Sequence, residues 1–228
     1  MNSPTTIILG SQSPQRRFLL QTLLPEDRIK IVPPLQSQEA GFDGLTHIDE
    51  IRERLREIVA TKNADVLQQC ERQECERQEC ERQECERQEW GTVLTADTVV
   101  VANDADSSFV LGKPDGPDWQ ATVQNWFTKF YSSKSHQVLT AVSFSFQDGT
   151  NETLLASTTV HFREVCPKLL DWYIRTEEPL GKAGGYGIQS GGSLFVESIA
   201  GSLSNVIGLP LEEVWSVLDA HQLMEISK

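Results

Sequence analysis

Four short segments carry the side chains able to do chemistry. The first is GSQSPQRRFLL, residues 10–20. Ser13 suits a helix cap and Pro14 the first helical position, which sets Arg16 and Arg17 in the opening turn. The helix dipole disfavours cations there, so two arginines point to a neighbouring anion, and the free N–H groups of a helix start would cradle a phosphate. The plain alternative is that both arginines face water. The second segment, TADTVVV at residues 95–101, sets Asp97 inside an apolar strand. A carboxylate there must be hydrogen-bonded, paired or metal-bound, because leaving it dry costs several kcal/mol. A structural or turn-forming aspartate is the rival reading. The third is Lys113 in LGKP, which either serves a phosphate or faces solvent. The fourth, EEPLGKAGGYGIQSGG at residues 177–192, combines a cation, Lys182, with Gln189, whose amide could read a base edge. Its glycines allow backbone to approach a ligand closely. It matches neither the Walker pattern nor a dinucleotide-binding GxGxxG. His136 and His161 stand alone, and no HExxH, nucleophile elbow or Cys–His pairing occurs, which argues against a serine or cysteine nucleophile.

The elements that must position these groups follow from periodicity. Apolar runs predict strands over 6–9, 29–32, 92–102, 109–111, 137–146 and 153–162, the last two joined by a turn at Asp148-Gly149. Helices are predicted over 14–24, 48–69, 118–131, 168–175 and 211–218; in the last, Leu211, Val214, Trp215 and Leu218 form an i, i+3, i+4, i+7 stripe. Early alternation of strands and helices, then a hairpin, argues for an α/β fold with a mixed sheet.

Composition bounds the rest. The 228 residues suffice to bury a substantial core, and 39% hydrophobic with 23% charged residues is ordinary for a globular protein. A formal charge of −13 opposes a nucleic-acid-coating role. No apolar run reaches the roughly 18 residues of a membrane span, and the start lacks the basic-then-apolar order of a signal peptide, so the expected location is cytoplasmic. Four of the five cysteines belong to one repeat, which does not make a disulfide framework.

That repeat, Cys-Glu-Arg-Gln-Glu four times over residues 70–89, adds −4 to the charge, since each unit holds two acids and one base. Its residues favour helix, and a period of five advances about 140° per unit, so the cysteines spiral and cannot share a metal face. The CxxC spacing of zinc sites is absent. The repeat is expected to be an insertion without catalytic duty, a solvated helical extension or flexible insert.

In order and wording the chain resembles the Maf (septum-formation) family of nucleoside triphosphate pyrophosphatases. The resemblance rests on SQSPQRRFLL, TADTVVV, LGKP, HQVLTAV, TTVHFREV, YIRTEEPLGKAGGYGIQSGG and IAGSLSNVIGLPLEEV, and it covers nearly the whole chain apart from the repeat. It implies a single domain over residues 1–228 with the repeat inserted in it. The implied fold is α/β, a mixed twisted sheet flanked by helices, with two lobes around a deep cleft (Maf/ITPase-like). The implied reaction is hydrolysis of an NTP to the monophosphate and pyrophosphate with a divalent cation, Mg²⁺ or Mn²⁺.

Carried over position by position, the resemblance makes Asp97 the catalytic aspartate. Ser11, Arg16, Lys62, Lys113 and Lys182 become phosphate-binding groups, and Asp97 with Glu39 the metal carboxylates. Gln15 stands where the family usually has the first arginine of Ser-Pro-Arg-Arg, and Arg17 could substitute by a shift. Gly181 stands where the family has an aspartate in Glu-Pro-x-Asp-Lys. Thr98 and Gln189 resemble the branch acting on dTTP and UTP, whereas Gln15 departs from it. The alternatives are a pyrophosphatase for 7-methyl-GTP or other modified nucleotides, and a non-catalytic, nucleotide-binding division regulator. The expected partner is a nucleoside triphosphate, with no nucleic acid and no membrane; self-association as a homodimer stays open.

Overall fold

The computed structural model describes residues 5–35, 41–79, 90–104 and 107–224. Seven strands form one mixed sheet: β1 (Thr6–Leu9), β2 (Ile29–Ile31), β3 (Trp90–Asp104), β4 (Ser107–Leu111), β5 (Ser135–Phe146), β6 (Asn151–Phe162) and β7 (Val196–Ala200). The order is β2-β1-β3-β5-β6-β7, with β4 also on β3. β1 runs parallel to β2 and β3, and the other pairings are antiparallel.

The 15-residue strand β3 organises the molecule. One edge pairs with β5 from Thr92 to Val101. The other edge pairs with β1 only as far as Leu94, and with β4 only from Val100 onward. Between them no described strand covers residues 95–99, so the sheet forks there. A fork in a sheet leaves backbone and side chains open to a ligand where pairing would otherwise bury them.

Helices cover both faces. α1 is Pro14–Leu20, α2 Ile48–Glu79, α3 Trp119–Trp126, α4 Pro167–Arg175, α5 Leu203–Ile207 and α6 Leu211–Ala220. α2 lays Ile51, Leu55, Val59 and Val66 on the face of β3 that carries Val93, Val99 and Val101. On the opposite face two cores lie on either side of the fork. Leu19 and Leu20 of α1 with Val214 and Leu218 of α6 pack on Leu94 and Ala96. Val123 and Leu170, from α3 and α4, pack with an aromatic cluster on Val100 and Ala102.

Several expected boundaries moved. α1 stops at Leu20 and gives way to turns ahead of Pro25, because the residue before a proline is biased away from helix. α3 ends at Trp126 and continues as a π-helical turn, Phe127–Tyr131. That wider turn aims Phe127, Phe130 and Tyr131 all inward. Periodicity does not reveal β7 and α5. β7 is a half-exposed edge strand, and five residues of α5 are too few to show a period. α2 extends through the first two pentads of the repeat, and Cys70 is buried against Val66 and Val93. The first cysteine thus belongs to the core and not to a solvated extension; residues 80–89 lie outside the described residues. No described helix is long and apolar enough to cross a membrane.

Phe127 is fully buried with its ring 4.9–5.8 Å from those of Tyr131, Phe162, Tyr173 and Phe195. Phe127→Ala should therefore cost about 3–5 kcal/mol, read as a lower urea midpoint at unchanged slope.

Candidate active site

The fork opens into a cleft of about 850 Å³. Ser11, Gln15, Arg16, Lys62, Asp97, Thr98, Lys113, Lys182 and Gln189 all line it. Strand alternation explains the centre. Asp97 shares the α2-facing side of β3 with Val99, while Thr98 points to the other side. Both remain reachable because their edge has no strand beside it.

Asp97 accepts an ion pair from Lys62, Oδ1 to Nζ 3.2 Å, and lies 3.9 Å from the Arg16 guanidinium. Lys62 is brought there by the seat of α2 on the sheet. The neighbouring Asn63 amide donates to the Val93 and Ser143 carbonyls at 3.2 and 3.0 Å. Thr95 donates to the Val59 carbonyl at 3.0 Å. These buried bonds fix the register of α2 against β3 and β5.

Arg16 is aimed by the start of α1. Ser13 caps the helix by accepting the Arg16 N–H at 3.4 Å and donates its own hydroxyl to Gln15 Oε1 at 3.1 Å. The Arg16 guanidinium donates to the Gly208 carbonyl at 3.0 Å, to Thr98 Oγ1 at 3.2 Å and to Ser11 Oγ at 3.4 Å. The planar fork is thereby held in one orientation. Arg17 points the other way, to a surface ion pair with Glu26, and does not replace the missing arginine at position 15.

The glycine loop closes the opposite wall. Gly184 has φ of +68°, and its N–H donates to the Gly112 carbonyl at 2.9 Å, tying the loop beside Lys113. A Cβ at Gly184 would stand 2.5 Å from the Tyr131 hydroxyl, which itself donates to the Gly184 carbonyl at 2.9 Å. Only glycine satisfies that backbone and that space. Lys182 donates to the Glu178 carbonyl at one end of the loop. Tyr186 lines the cleft with its hydroxyl 2.7 Å from His136 Nε2.

Other contributors gave little sequence signal. Gly208 acts through its carbonyl, which any residue possesses. Thr140 and Asn205 form a buried relay behind Thr98: Thr98 and Thr140 hydroxyls lie 3.0 Å apart, and Thr140 donates to the Asn205 carbonyl at 3.3 Å. Asp115, two residues after Lys113 in LGKPDG, also lines the cleft. Glu39 lies outside the described residues.

Among the described residues no group of three or more His, Cys, Asp or Glu side chains gathers as a metal cage. The Asp97 carboxylate in this cleft still fits Mg²⁺, which binds through one or two carboxylates and substrate phosphates, retaining waters.

Against known proteins, the Maf-like protein family matches residues 6–221. The chain is 33% identical over 211 residues to a dTTP/UTP pyrophosphatase of Thermococcus onnurineus (strain NA1), covering 92% of this chain and 95% of the relative. It is 38% identical over 211 residues to one of Syntrophomonas wolfei, covering 92% and 94%. A third relative of that name, from Thermosipho africanus, is 39% identical over 138 residues, 60% of this chain and 68% of the relative.

Burial, with a smaller push from His161, holds the His136 pKa down at about 3, and its Nδ1 has no partner among the described residues. Folded His136 therefore stays neutral at pH values where the unfolded chain, near 6.5, takes up a proton. Its effect is nil above pH 6.5, and below that pH it removes stability by about 1.4 kcal/mol per pH unit until the folded value is reached. Urea midpoints of the wild type should fall more steeply between pH 6.5 and 5 than those of His136→Phe.

Proposed function

The chain belongs to the Maf-like protein family, and from that premise we propose that it hydrolyses dTTP and UTP to the nucleoside monophosphate and pyrophosphate. The observation that carries the reading is Asp97, partly buried at the fork of the sheet and lining the cleft, with Lys62 at 3.2 Å and Arg16 at 3.9 Å. The shared name of the relatives supports the base preference, and so do Thr98 and Gln189 on the cleft wall.

A triphosphate carries about four negative charges, and Arg16, Lys62, Lys113 and Lys182 supply the countercharge. Arg16 offers a rigid donor set, while the three lysines act as point charges along the chain of phosphates. Ser11, whose hydroxyl already meets Arg16, adds a neutral donor at the same wall. Water attacks the α-phosphorus, and the bond to the oxygen bridging α- and β-phosphorus breaks. Pyrophosphate departs with the electron pair, and Asp97 orients the water and takes its proton. A Mg²⁺ or Mn²⁺ ion, with Asp97 as its protein carboxylate, would stabilise charge developing on the phosphates. Glu39 is a second candidate for that ion. We take residues 1–228 as one domain, with the pentad repeat an insertion in it, working in the cytoplasm.

Gln15 leaves this wall one cation short of the usual family arrangement, and its bond to Ser13 turns its amide oxygen to the helix cap. Gln15→Arg should lower KM for dTTP without raising kcat, as expected for a contact to phosphate made equally in the ground and transition states.

Pyrophosphate release from a panel of triphosphates, with 7-methyl-GTP included, tests the reading. dTTP and UTP should turn over best, and Asp97→Asn should lose about 10²–10⁴-fold in kcat with its melting temperature retained. Preference for 7-methyl-GTP, or tight binding with no pyrophosphate release, would replace this assignment; near-normal turnover in Asp97→Asn would remove Asp97 from the chemistry.

A further inference from the structure

The cleft wall that bears Lys182 and Gln189 is built from the most flexible residue type. Six glycines fall between Gly181 and Gly192, and glycine loses more backbone freedom on ordering than any other residue. Something must hold that wall still if it is to present a cation and an amide at fixed places.

Glu178 is placed to do so. Its Oε1 accepts from the Ser190 hydroxyl at 2.5 Å and from the Gly192 N–H at 3.4 Å, and its Oε2 accepts from the Gly191 N–H at 2.9 Å. Tyr173, fully buried, shares its hydroxyl proton between Glu178 Oε1 and the Gly185 carbonyl, both at 3.3 Å. The carboxylate thus ties α4 to the Gly191–Phe195 turn, and the Tyr173 hydroxyl between them also reaches the Ala183–Gly185 turn. Hydrogen bonds to a carboxylate are roughly twice as strong as neutral ones.

The two cleft residues hang directly from this knot. Gln189 is third in a turn closed by the Ser190 N–H on the Gly187 carbonyl at 3.2 Å, and Ser190 is the residue whose hydroxyl Glu178 holds. Lys182 donates to the Glu178 backbone carbonyl, with its Nζ 4.0 Å from Glu178 Oε1. A Cβ at Gly191 would fall 2.6 Å from Glu178 Oε2, so the carboxylate reaches the amides only because position 191 is bare. Burial pushes the Glu178 pKa up, but the bonds from Ser190, Gly191 and Gly192 and the charge of Lys182 outweigh it and hold the carboxyl below its usual range.

We propose that Glu178 is a positioning residue that sets Gln189 and Lys182 for base and phosphate recognition without itself touching the nucleotide. The proposal rests on the nucleotide pyrophosphatase reading. It predicts a split between binding and turnover, since Asp97, Lys62 and Arg16 lie on other elements.

Steady-state kinetics on dTTP and dATP with Glu178→Ala and Glu178→Gln test it. Glu178→Ala should raise KM for dTTP about tenfold or more and shrink the dTTP-over-dATP preference by a similar factor, with kcat within about threefold. Glu178→Gln keeps an acceptor for the Gly191 N–H and should recover part of the loss. Unchanged KM and preference in a folded variant would overturn the proposal. So would a drop in kcat that merely follows the folded fraction, because that marks a stabilising residue only. Should Glu178→Ala not fold, Glu178→Gln carries the same test. Should the wild type release pyrophosphate from no triphosphate, the enzymatic reading fails. Hydrogen exchange then judges the brace by itself: the Gly192 amide, which loses its acceptor when an NH2 group replaces Oε1, should exchange at least about tenfold faster in Glu178→Gln, and an equal rate would overturn it.

Discussion

The molecule depends on an interrupted ladder. β3 is paired along one edge by β5, but its other edge loses β1 after Leu94 and meets β4 only at Val100. A continuous partner across residues 95–99 would have buried Asp97 beneath a strand. The interruption leaves that partly buried carboxylate facing a cleft while the backbone beneath it stays hydrogen-bonded to β5. Rigidity and access, which usually oppose each other, are obtained from the two edges of one strand.

The same interruption divides the packing. Below the fork, Leu94 and Ala96 anchor a core with α1 and α6; above it, Val100 and Ala102 anchor the aromatic cluster with α3 and α4. α2 spans both on the reverse face. Each wall of the cleft is therefore backed by its own core. Arg16 comes from the first, Lys113 and Lys182 from the second, and Lys62 from the helix that bridges them. Convergence of four cations would be repulsive in isolation. Asp97 offsets part of that repulsion, and an anionic ligand would offset the rest. In a chain of net charge −13 the cleft gathers cations, a local basic focus in an acidic protein.

The two walls are stiffened by different chemistry. Around Arg16 the constraints are direct, from Gly208, Thr98 and Ser11. Across the cleft half of the loop from Gly181 to Gly192 is glycine, and buried ring groups from neighbouring elements and the Glu178 carboxylate at its start hold it. Tyr131 reaches Gly184, Tyr173 reaches Gly185, and His136 meets Tyr186. Desolvation keeps the three phenols protonated, with their pKa values well above the ordinary one, so they remain donors throughout the neutral range. The aromatic core that stabilises this lobe is thereby also the clamp on the loop.

Much of this was legible in the residues. Val-rich and alternating runs located six of the seven strands, and the Ser13-Pro14 pair located the start of α1, because those signals act over a few neighbouring residues. Asp97 within an apolar run, and two arginines at a helix start, were conspicuous because local physics disfavours both. β7 and α5 were not legible, being too short or too polar to show a period, and the burial of Cys70 was hidden by the repeat in which it lies. The residues by themselves determined which groups could bear charge and roughly where the longer strands and helices lie. Only tertiary structure decided that β1 stops short of β4 along β3, that Arg16 and not Arg17 turns inward, and that Glu178 holds the glycine loop. Those outcomes depend on contacts between segments far apart in the chain, which no local periodicity encodes.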